Sequence, residues 1–385
     1  MARTTFEAWI PEEYDSAVIQ QVNQMSAIEG YATRIPMTSH TTSAPRSGSA
    51  TVAVVAKGGT YGEDSSTNDD VVLTERKIGS AFRIAEEDID DSLASVVATK
   101  QAEWGNAYAP FLDNACLGVS AAGNGTTVPF TSVYRALSQT DSGVSYTANA
   151  NIVTAGAKLG AATIVASTGV FTVATPHGLA IGDRVVFGTF TTTTGATAGT
   201  PYFVITVPST TTFTVSATEG GAAVTLTNNG SVDGVTRSAV TYANLSNVLK
   251  KVETGGWFDP SKLLVIAHPA FKDELRMVRD TNQRPILVES ASAATPDTIF
   301  GYTARWSRGA AKHVTASSAP TGNPLMVVVN RDLLRLGVRS GPESVFIDGR
   351  NGLGALTDES ILKVRARRAF VLGMQHGAAI LEATA

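Results

Sequence analysis

One stretch of this sequence, residues 158–232, differs sharply in composition from everything around it. It is rich in threonine, glycine and alanine, and its charged residues are only Lys158, Asp183, Arg184 and Glu219. Short β-prone runs such as VFTVAT and YFVITV recur in it, separated by turn signals such as IGD and NNG. The pattern predicts an all-β module of about 75 residues that closes as a sandwich or a small barrel.

The sequence on both sides of this module mixes helical and strand patterns, so the predicted fold class is α+β with an inserted all-β domain. Apolar spacing predicts a helix over residues 241–254, a buried strand over 262–267 and a second helix that begins at His268-Pro269. Further strands are predicted at 298–306, 325–329, 332–339, 344–347, 361–365 and 370–372.

Three predicted elements before the module have no core of their own nearby in sequence. A helix is predicted over 12–29, stopped by Gly30, on an extended arm. Strands at Ser49–Lys57 and Val71–Ile84 predict a long hairpin whose tip, 58–70, is acidic. A helix over 85–117 is long enough to act as a structural spine, and a kink or restart is expected at Pro110.

The composition indicates a protein covered by partners and excludes several classes. Only 17% of the 385 residues are charged, against about 25% in ordinary soluble domains. The net charge of −4 gives no global reason to bind nucleic acid tightly. A single cysteine excludes an internal disulfide framework, and the lack of a long apolar run predicts no membrane span and no secretory signal. We therefore expect an aqueous, reducing compartment.

Catalytic signatures are nearly absent, so no enzyme activity, cofactor or metal is predicted. The sequence has no nucleophile elbow, phosphate-binding loop or zinc-protease motif. The glycine-rich stretch 349–354 is interpreted as a loop between strands. The five histidines are scattered, and Cys116 lies beside Leu112 and Leu117 in the spine helix, which predicts a buried thiol.

Two charge clusters and one apolar set are the candidate contact residues. The acidic cluster is Glu63, Asp64, Asp69 and Asp70; the basic cluster is Arg350, Arg365, Arg367 and Arg368; the apolar arm residues are Trp9, Ile10, Val18, Val22 and Met25. The clusters are either two solvated faces or a tip-to-arginine contact between subunits. The arm residues pack either on their own domain or on a neighbouring subunit.

The order of these parts resembles a known family. WIPEEYDSAVIQQVNQMSAIEGYATRIPM is similar to its arm, KIGSAFRIAEEDIDDSLASVVATKQAEWGNAY to its hairpin return and spine helix, and WFDPSKLLVIAHPAFKDELRMVRDTNQRPIL to its axial domain. NRDLLRLGVRSGPESVFIDGRN and ESILKVRARRAFVLGMQHGAAIL are similar to its closing strands. The family is that of the major capsid proteins of tailed bacteriophages, with the Hong Kong 97 fold. The resemblance covers nearly the whole chain except 158–232.

The resemblance implies a division into five parts. These are an arm over 1–45, an extended β-hairpin (E-loop) over 46–84, a peripheral domain with the spine helix over 85–119 and 336–370, an axial domain over 120–157, 233–335 and 371–385, and the inserted β domain over 158–232.

It also implies a function and partners. Many copies would close into an icosahedral shell of hexamers and pentamers around double-stranded DNA, which they contact weakly and without specificity. A portal protein, a separate scaffolding protein or none, and a decoration protein would be further partners; assembly would occur in the host cytoplasm, and the product would be the virion. The alternatives are an encapsulin-like compartment that holds protein cargo, and a glycan-binding protein that stacks sugars on Phe187, Phe190, Tyr202 and Phe213.

Overall fold

A computed structural model gives the fold, and it describes residues 25–47, 52–62, 68–91, 95–156, 158–218, 220–237, 240–278, 284–289, 296–348 and 358–383. The helices within these residues are α1 Ala27–Tyr31, α2 Glu86–Asp90, α3 Val96–Leu117, α4 Val133–Leu137, α5 Tyr242–Glu253 and α6 Phe271–Met277. The strands are β1 Thr33–Pro36, β2 Thr41–Ser47, β3 Asn68–Thr74, β4 Arg76–Ala85, β5 Ile152–Ala155, β6 Lys158–Val165, β7 Val170–Val173, β8 Arg184–Phe187, β9 Phe190–Thr191, β10 Pro201–Ser209, β11 Thr212–Ser216, β12 Gly230–Arg237, β13 Leu263–Ala267, β14 Leu287–Val288, β15 Thr298–Ile299, β16 Tyr302–Trp306, β17 Leu325–Asn330, β18 Leu334–Ile347, β19 Glu359–Leu372 and β20 Ala378–Ala383.

The centre of the molecule is a seven-stranded sheet in the order β14-β15-β16-β13-β17-β20-β5. Its middle strands are buried at every position because both faces are covered. Leu264, Ile266 and Val327 face a core shared with α3 and α4. Val265 and Val328 face a second core closed by α5 and α6. The predicted helix at 241–254 and strand at 262–267 are confirmed, each shortened slightly.

A four-stranded sheet, β1-β18-β19-β4, lies beside the spine helix α3. The four closing strands predicted at 332–339, 344–347, 361–365 and 370–372 are in fact two strands of 14 residues, β18 and β19, paired from Leu334↔Leu372 to Ile347↔Ile361. Leu336 and Phe370 of this sheet belong to the same core as Leu264 of the central sheet. The predicted peripheral and axial regions therefore share one hydrophobic core.

The long predicted spine helix is divided in two. Helix α2 ends at Asp90, and α3 begins after Ser95, whose hydroxyl accepts a hydrogen bond from the amide of Ala98. The restart expected at Pro110 does not occur, because α3 runs through it to Leu117. The part of α3 that follows the proline is packed in the core. This packing outweighs the cost of about 3 kcal/mol for an internal proline.

The inserted module is a closed barrel. Strand β6 pairs with β7 on one side and with β12 on the other, so the ring β6-β7-β11-β10-β8-β12 has no open edge, and β9 adds to β12. Closure removes the unpaired edges that a short sandwich would expose. Strand β12 runs to Arg237, which extends the module beyond the predicted boundary at 232.

The predicted hairpin differs from the observed one. Strand β3 pairs with β2, an earlier strand than predicted, in a two-stranded ribbon, while β4 pairs with β19. Residues 52–56, in the predicted strand Ser49–Lys57, belong to no strand or helix. Helix α1, capped by the Ser26 hydroxyl, includes Gly30, so the predicted stop at that glycine is wrong.

Candidate assembly surfaces

Two of the four predicted acidic residues lie on the ribbon and are bonded within the subunit. Asp69 and Asp70 belong to β3, not to a hairpin tip. Asp69 forms an ion pair with Arg46 on the opposite strand, and the hydroxyl of Ser43 donates to Asp70. Glu63 and Asp64 lie outside the described residues. The contact of this cluster with another subunit stays a prediction.

Three of the four predicted arginines lie on β19, and each has a carboxylate partner in its own chain. Arg365 pairs with Glu343, and Arg367 lies 3.7 Å from Glu75. Arg368 is buried and pairs with Glu29 of α1 at 2.6 Å. Arg350 falls in the part of the chain that is not described. A contact of these arginines with a neighbour would have to compete with the pairs inside the subunit.

The base of the arm is fixed by a buried carboxylate that the sequence analysis missed. Asp113 of α3 accepts hydrogen bonds from the hydroxyl of Ser26 and the amides of Ala27 and Ile28. The hydroxyl of Ser307 donates to the same carboxylate. Burial raises the pKa of Asp113, and the four donors oppose that rise. A polar pair, Asp113-Asn114, inside the apolar end of α3 was the signal that could have revealed it.

Of the predicted apolar arm residues, the structure describes Met25 alone. Trp9, Ile10, Val18 and Val22 are not among the described residues. Met25, where the description begins, is 86% exposed, although Ala27 and Ile28 just after it are buried in the central core. The packing of the arm on a neighbouring subunit stays a prediction.

A second cluster, which is partly buried, joins the ribbon to the rest of the subunit. The Arg46 guanidinium donates to Asp69 and, at 3.0 Å, to Asp141, whose carboxylate also accepts from the Gln375 amide at 2.8 Å. Burial alone would raise the pKa of Asp141, but the bonds from Gln375 and Arg46 and the Arg46 charge lower it below its ordinary value. Gly143 leaves room for the Asp69 carboxylate, because a Cβ at residue 143 would require that side chain to shift.

The candidate sugar-stacking residues form the interior of the barrel. Phe187, Tyr202 and Phe213 are buried, and Phe190 packs against them. Phe171 stacks on Phe187 with ring centroids 4.5 Å apart. Phe187, Tyr202 and Phe213 therefore offer no open stacking surface, and Phe190 is partly buried.

The titratable side chains form no recognisable reaction centre in the described part of the chain. Cys116 is a fully buried free thiol, as predicted, and burial raises its pKa well above the usual value. His177 is buried in a turn and accepts a hydrogen bond from the Leu179 amide. No group of residues able to hold a metal ion occurs among the described residues. Nor does any helix in the described ranges have the length and apolar character needed to cross a bilayer.

Comparison with known proteins finds similarity in structure. No protein-family model and no curated protein matches the sequence. A chain from Mycobacterium phage Bobi matches with a TM-score of 0.58 at 16% identity, over 97% of this chain and 96% of that one. A chain from Gordonia phage Cozz matches with a TM-score of 0.58 at 11% identity, over 98% and 92%. A chain from the capsid of an empty GTA particle matches with a TM-score of 0.53 at 8% identity, over 98% and 97%.

At such low identities the likeness lies in the fold, and it extends over nearly the whole length of each pair of chains. The coverage of at least 97% of this chain spans the ribbon, the spine helix, the β18–β19 hairpin, the central seven-stranded sheet and the barrel alike. The chain has the α+β Hong Kong 97-type capsid fold.

Proposed function

We propose that this chain is the major capsid protein of a tailed bacteriophage, and that many copies close into an icosahedral shell around double-stranded DNA. The observation that carries the proposal is the match in fold to a chain of a capsid over 98% of this chain and 97% of that one. The fold by itself does not fix a function, so the proposal also rests on the surfaces that a single subunit leaves uncovered.

Those surfaces include exposed apolar side chains at the end of β18 and in the segment 52–56, which belongs to no strand or helix. Val345, Phe346 and Ile347 at the end of β18 are each more than 40% exposed, and Val52 and Val54 beyond the ribbon are almost fully exposed. Large apolar side chains grouped on projecting strands are typical of protein contact sites. Burial of these residues between copies would explain why only 17% of the residues are charged, because less of the subunit surface would face water in the assembled state.

The remaining partners follow from this role. Subunits would form hexamers and pentamers, with the arm residues packed on neighbours, and a portal protein would occupy a special vertex. A separate scaffolding protein or none, and a decoration protein, would complete the set of partners, and assembly would take place in the host cytoplasm before the virion is released. Contact with packaged DNA would be weak and without sequence preference, because the net charge of −4 supplies no strong attraction.

An encapsulin-like compartment is the second candidate, since it would use the same fold. The two are separated by what the particle contains. The glycan-binding candidate is disfavoured, because the aromatic residues proposed for it fill the barrel core.

The test is to express the full chain and examine it by negative-stain electron microscopy and sedimentation velocity. Closed shells, or hexamers that close when a scaffolding protein is supplied, are expected. A chain that stays monomeric at every concentration, with and without a scaffold, would contradict the proposal. Particles from a producing lysate should contain double-stranded DNA; a specific protein cargo with no DNA would favour the compartment instead.

A further inference from the structure

The outer edge of β4 is open in the described part of the subunit. Strand β4 is the last strand of the four-stranded sheet and pairs there with β19 on one side. The amide of Glu86, directly after β4, donates to the Asp358 carbonyl on the β19 side. Successive residues of an antiparallel strand direct their backbone groups to opposite sides. The amides and carbonyls of the odd-numbered residues from 77 to 83 therefore point away from β19, where no backbone hydrogen bond from a described residue reaches them.

The middle of this edge lacks the features that usually block the addition of a strand. Residues 79–81 read Gly-Ser-Ala, and all three are exposed. Charged side chains commonly protect an open edge from pairing, but here Lys77 and Arg83 lie at the two ends. The small uncharged stretch between them allows another backbone to approach closely, which is the requirement for strand addition.

A second copy of β4 is a poor partner for this edge. Antiparallel pairing of two β4 strands about Ser80 would place Lys77 of each copy opposite Arg83 of the other. Like charges directly opposite each other destabilise a strand pair. The edge therefore favours a strand of different sequence.

A cavity of about 360 Å³ lies beside the same edge. Five consecutive residues, 76–80, line it, and because successive side chains of a strand lie on opposite faces, a cavity that touches all five lies along the edge. Its other wall includes Trp104, Tyr108 and Phe111 of α3, and the rings of Trp104 and Tyr108 stack with centroids 4.7 Å apart. A wall of this kind suits an aromatic or large aliphatic side chain.

The cavity is positively charged at one end of the edge. Arg76 and Lys77 both line it. The Nε atom of Arg76 is buried and has no hydrogen-bond partner among the residues that the structure describes. Arg83, at the other end, already pairs with Glu359 on the surface at 2.9 Å. The charge available to a ligand is therefore that of Arg76 and Lys77, and it is complementary to a carboxylate.

We propose that an extended acidic segment of a second protein adds as a strand to the outer edge of β4. One aromatic or large aliphatic residue of the segment would fill the cavity beside Trp104, and a carboxylate would lie against Arg76 and Lys77. About seven residues, or about 23 Å of strand, cover the edge from 77 to 83. Main-chain hydrogen bonds supply the affinity, while the cavity and the two cations supply the sequence preference. The inference goes beyond the shell function, because it concerns a binding site within one subunit.

Peptide selection tests the site and the chemistry of its ligand. The full-length, unassembled subunit is used to select binders from a displayed library of random twelve-residue peptides. Enriched peptides should combine acidic residues with one aromatic or large aliphatic residue. Lys77→Glu should weaken their binding tenfold or more in fluorescence anisotropy, whereas Lys250→Glu, at an exposed lysine of α5, should leave it unchanged. A library that yields no binder, or binders that are indifferent to Lys77→Glu, would overturn the inference.

A proline on the edge tests whether the peptide binds as a strand. Ala81→Pro removes an outward amide and no bond to β19, and proline is tolerated at such positions of edge strands. It should weaken peptide binding tenfold or more, while Ala81→Val, which keeps the amide, binds like the wild type. All three proteins should share one unfolding midpoint. Equal binding by the proline variant would overturn the inference.

Hydrogen exchange at single residues supplies a readout that needs no substitution. The bound peptide should slow exchange of the amides of Lys77, Gly79 and Ala81, which face outward. Unchanged exchange at these amides would overturn the inference. Two further results would also overturn it: peptide binding that appears only after removal of residues 1–24, which would assign the edge to the chain's own arm, and protection of the same amides in shells that contain no second protein, which would assign it to a neighbouring copy. All these results leave the shell function standing, because electron microscopy tests that separately.

Discussion

At the scale of single residues, Glu382 shows how a buried charge holds distant parts of the chain together. It lies on β20, and its carboxylate accepts from Lys312 at 2.9 Å, from Asn323 at 2.8 Å and from the Tyr134 hydroxyl at 2.9 Å. Burial alone would raise the pKa of Glu382, but these bonds and the lysine charge lower it below its ordinary value. The folded state therefore favours the ionised form.

Replacing the cation should change both stability and its dependence on pH. Lys312→Met leaves the Glu382 carboxylate buried without its countercharge, and we expect a loss of about 2–4 kcal/mol in the free energy of unfolding at pH 7. A carboxyl whose folded pKa is lowered contributes stability above its unfolded pKa and loses it as the pH falls through the folded value. The difference between wild type and variant should therefore shrink as the pH falls below the ordinary glutamate pKa of about 4.3.

The measurement is urea unfolding of the unassembled subunit between pH 3 and 8. Lys250→Met, which removes an exposed lysine of α5, is the matched control and should stay within about 0.5 kcal/mol of wild type. A Lys312→Met variant with the wild-type free energy at pH 7, or with a deficit that does not depend on pH, would contradict this account.

Residue-level prediction from the sequence succeeded where a local apolar pattern decides the outcome. Cys116 is buried, as its apolar neighbours indicated, and the aromatic residues of the module form its interior. It was wrong about the position of Asp69, because β-pairing with Arg46 depends on a strand register that the sequence leaves open. Asp113 was missed for a similar reason, since its four donors come from segments far apart in sequence.

At the scale of elements, Arg46 joins the end of the ribbon β2–β3 to the rest of the subunit, in addition to the packing of Leu73 on the β18–β19 sheet. Arg46 has only 9% of its side chain exposed and joins the ribbon carboxylate Asp69 to Asp141 in a loop below it. Removing a buried cation that faces two carboxylates leaves them to repel each other. The ribbon should then detach from the loop without unfolding of the shared core.

Hydrogen exchange should reveal this detachment. In Arg46→Met, amides of β2 and β3 are expected to exchange at least about tenfold faster, while those of β13 and β17 keep their protection. Arg83→Met is the control, because Arg83 is 73% exposed and its pair with Glu359 lies on the surface. Unchanged protection of the ribbon in the Arg46 variant would show that packing alone fixes it.

The prediction of helices and strands from the sequence was limited because packing partners that are distant in sequence decide some of them. Ser49–Lys57 contains residues that favour strands, but residues 52–56 have no strand beside them in the described part of one subunit. Strand propensity depends on packing against cross-strand neighbours, so without a neighbour it does not produce a strand. Conversely, α3 continues through Pro110 because the helix after it is buried in the core. In both places a partner distant in sequence decides the local structure.

At the scale of the whole molecule, the barrel is structurally separate from the two other cores. None of the described residues that form the shared core or the α5–α6 core lies between 158 and 237. Of the polar contacts between the barrel and α6, the pair of Arg184 with Asp273, at 3.3 Å, involves a carboxylate that is 64% exposed, so its loss should cost about 1 kcal/mol or less.

We therefore expect the chain to fold and assemble without the barrel. Replacing residues 158–237 with a short Gly/Ser linker should leave shells of the same diameter, with density lost from the outer face. The outer face is expected because the module lacks the excess of lysine and arginine that suits a surface beside DNA. Cryo-electron microscopy of the variant measures both diameter and position.

A contrasting deletion makes this result interpretable. Removal of β5, which adds Val153 and Ala155 to a buried core, should prevent folding. Failure of the barrel deletion to assemble would mean that the barrel takes part in subunit contacts. Density lost from the inner face would show that the module faces the packaged DNA, contrary to this prediction.

The overall architecture was predictable because it depends on the order of elements and on two sharp changes of composition. The order of elements and the changes of composition predicted the α+β class and the insertion. They did not predict the shared core, because Leu264, Leu336 and Phe370 are far apart in sequence and meet only in the folded chain. The extension of the module to Arg237 was also hidden, because Val232 and Val235 lie on one strand that crosses the change of composition.

The register that closes the barrel has a practical consequence. Lys158 is paired with Thr236 across β6 and β12, so the two points where the chain enters and leaves the module are about 5 Å apart. This junction is therefore suited to domain insertion. A foreign polypeptide whose own ends lie side by side, such as an antigen or a small reporter enzyme, could replace the module there without distorting the backbone of the rest of the subunit. In a shell of these subunits the graft would be displayed once per copy, at a spacing set by the lattice and not by a flexible tether.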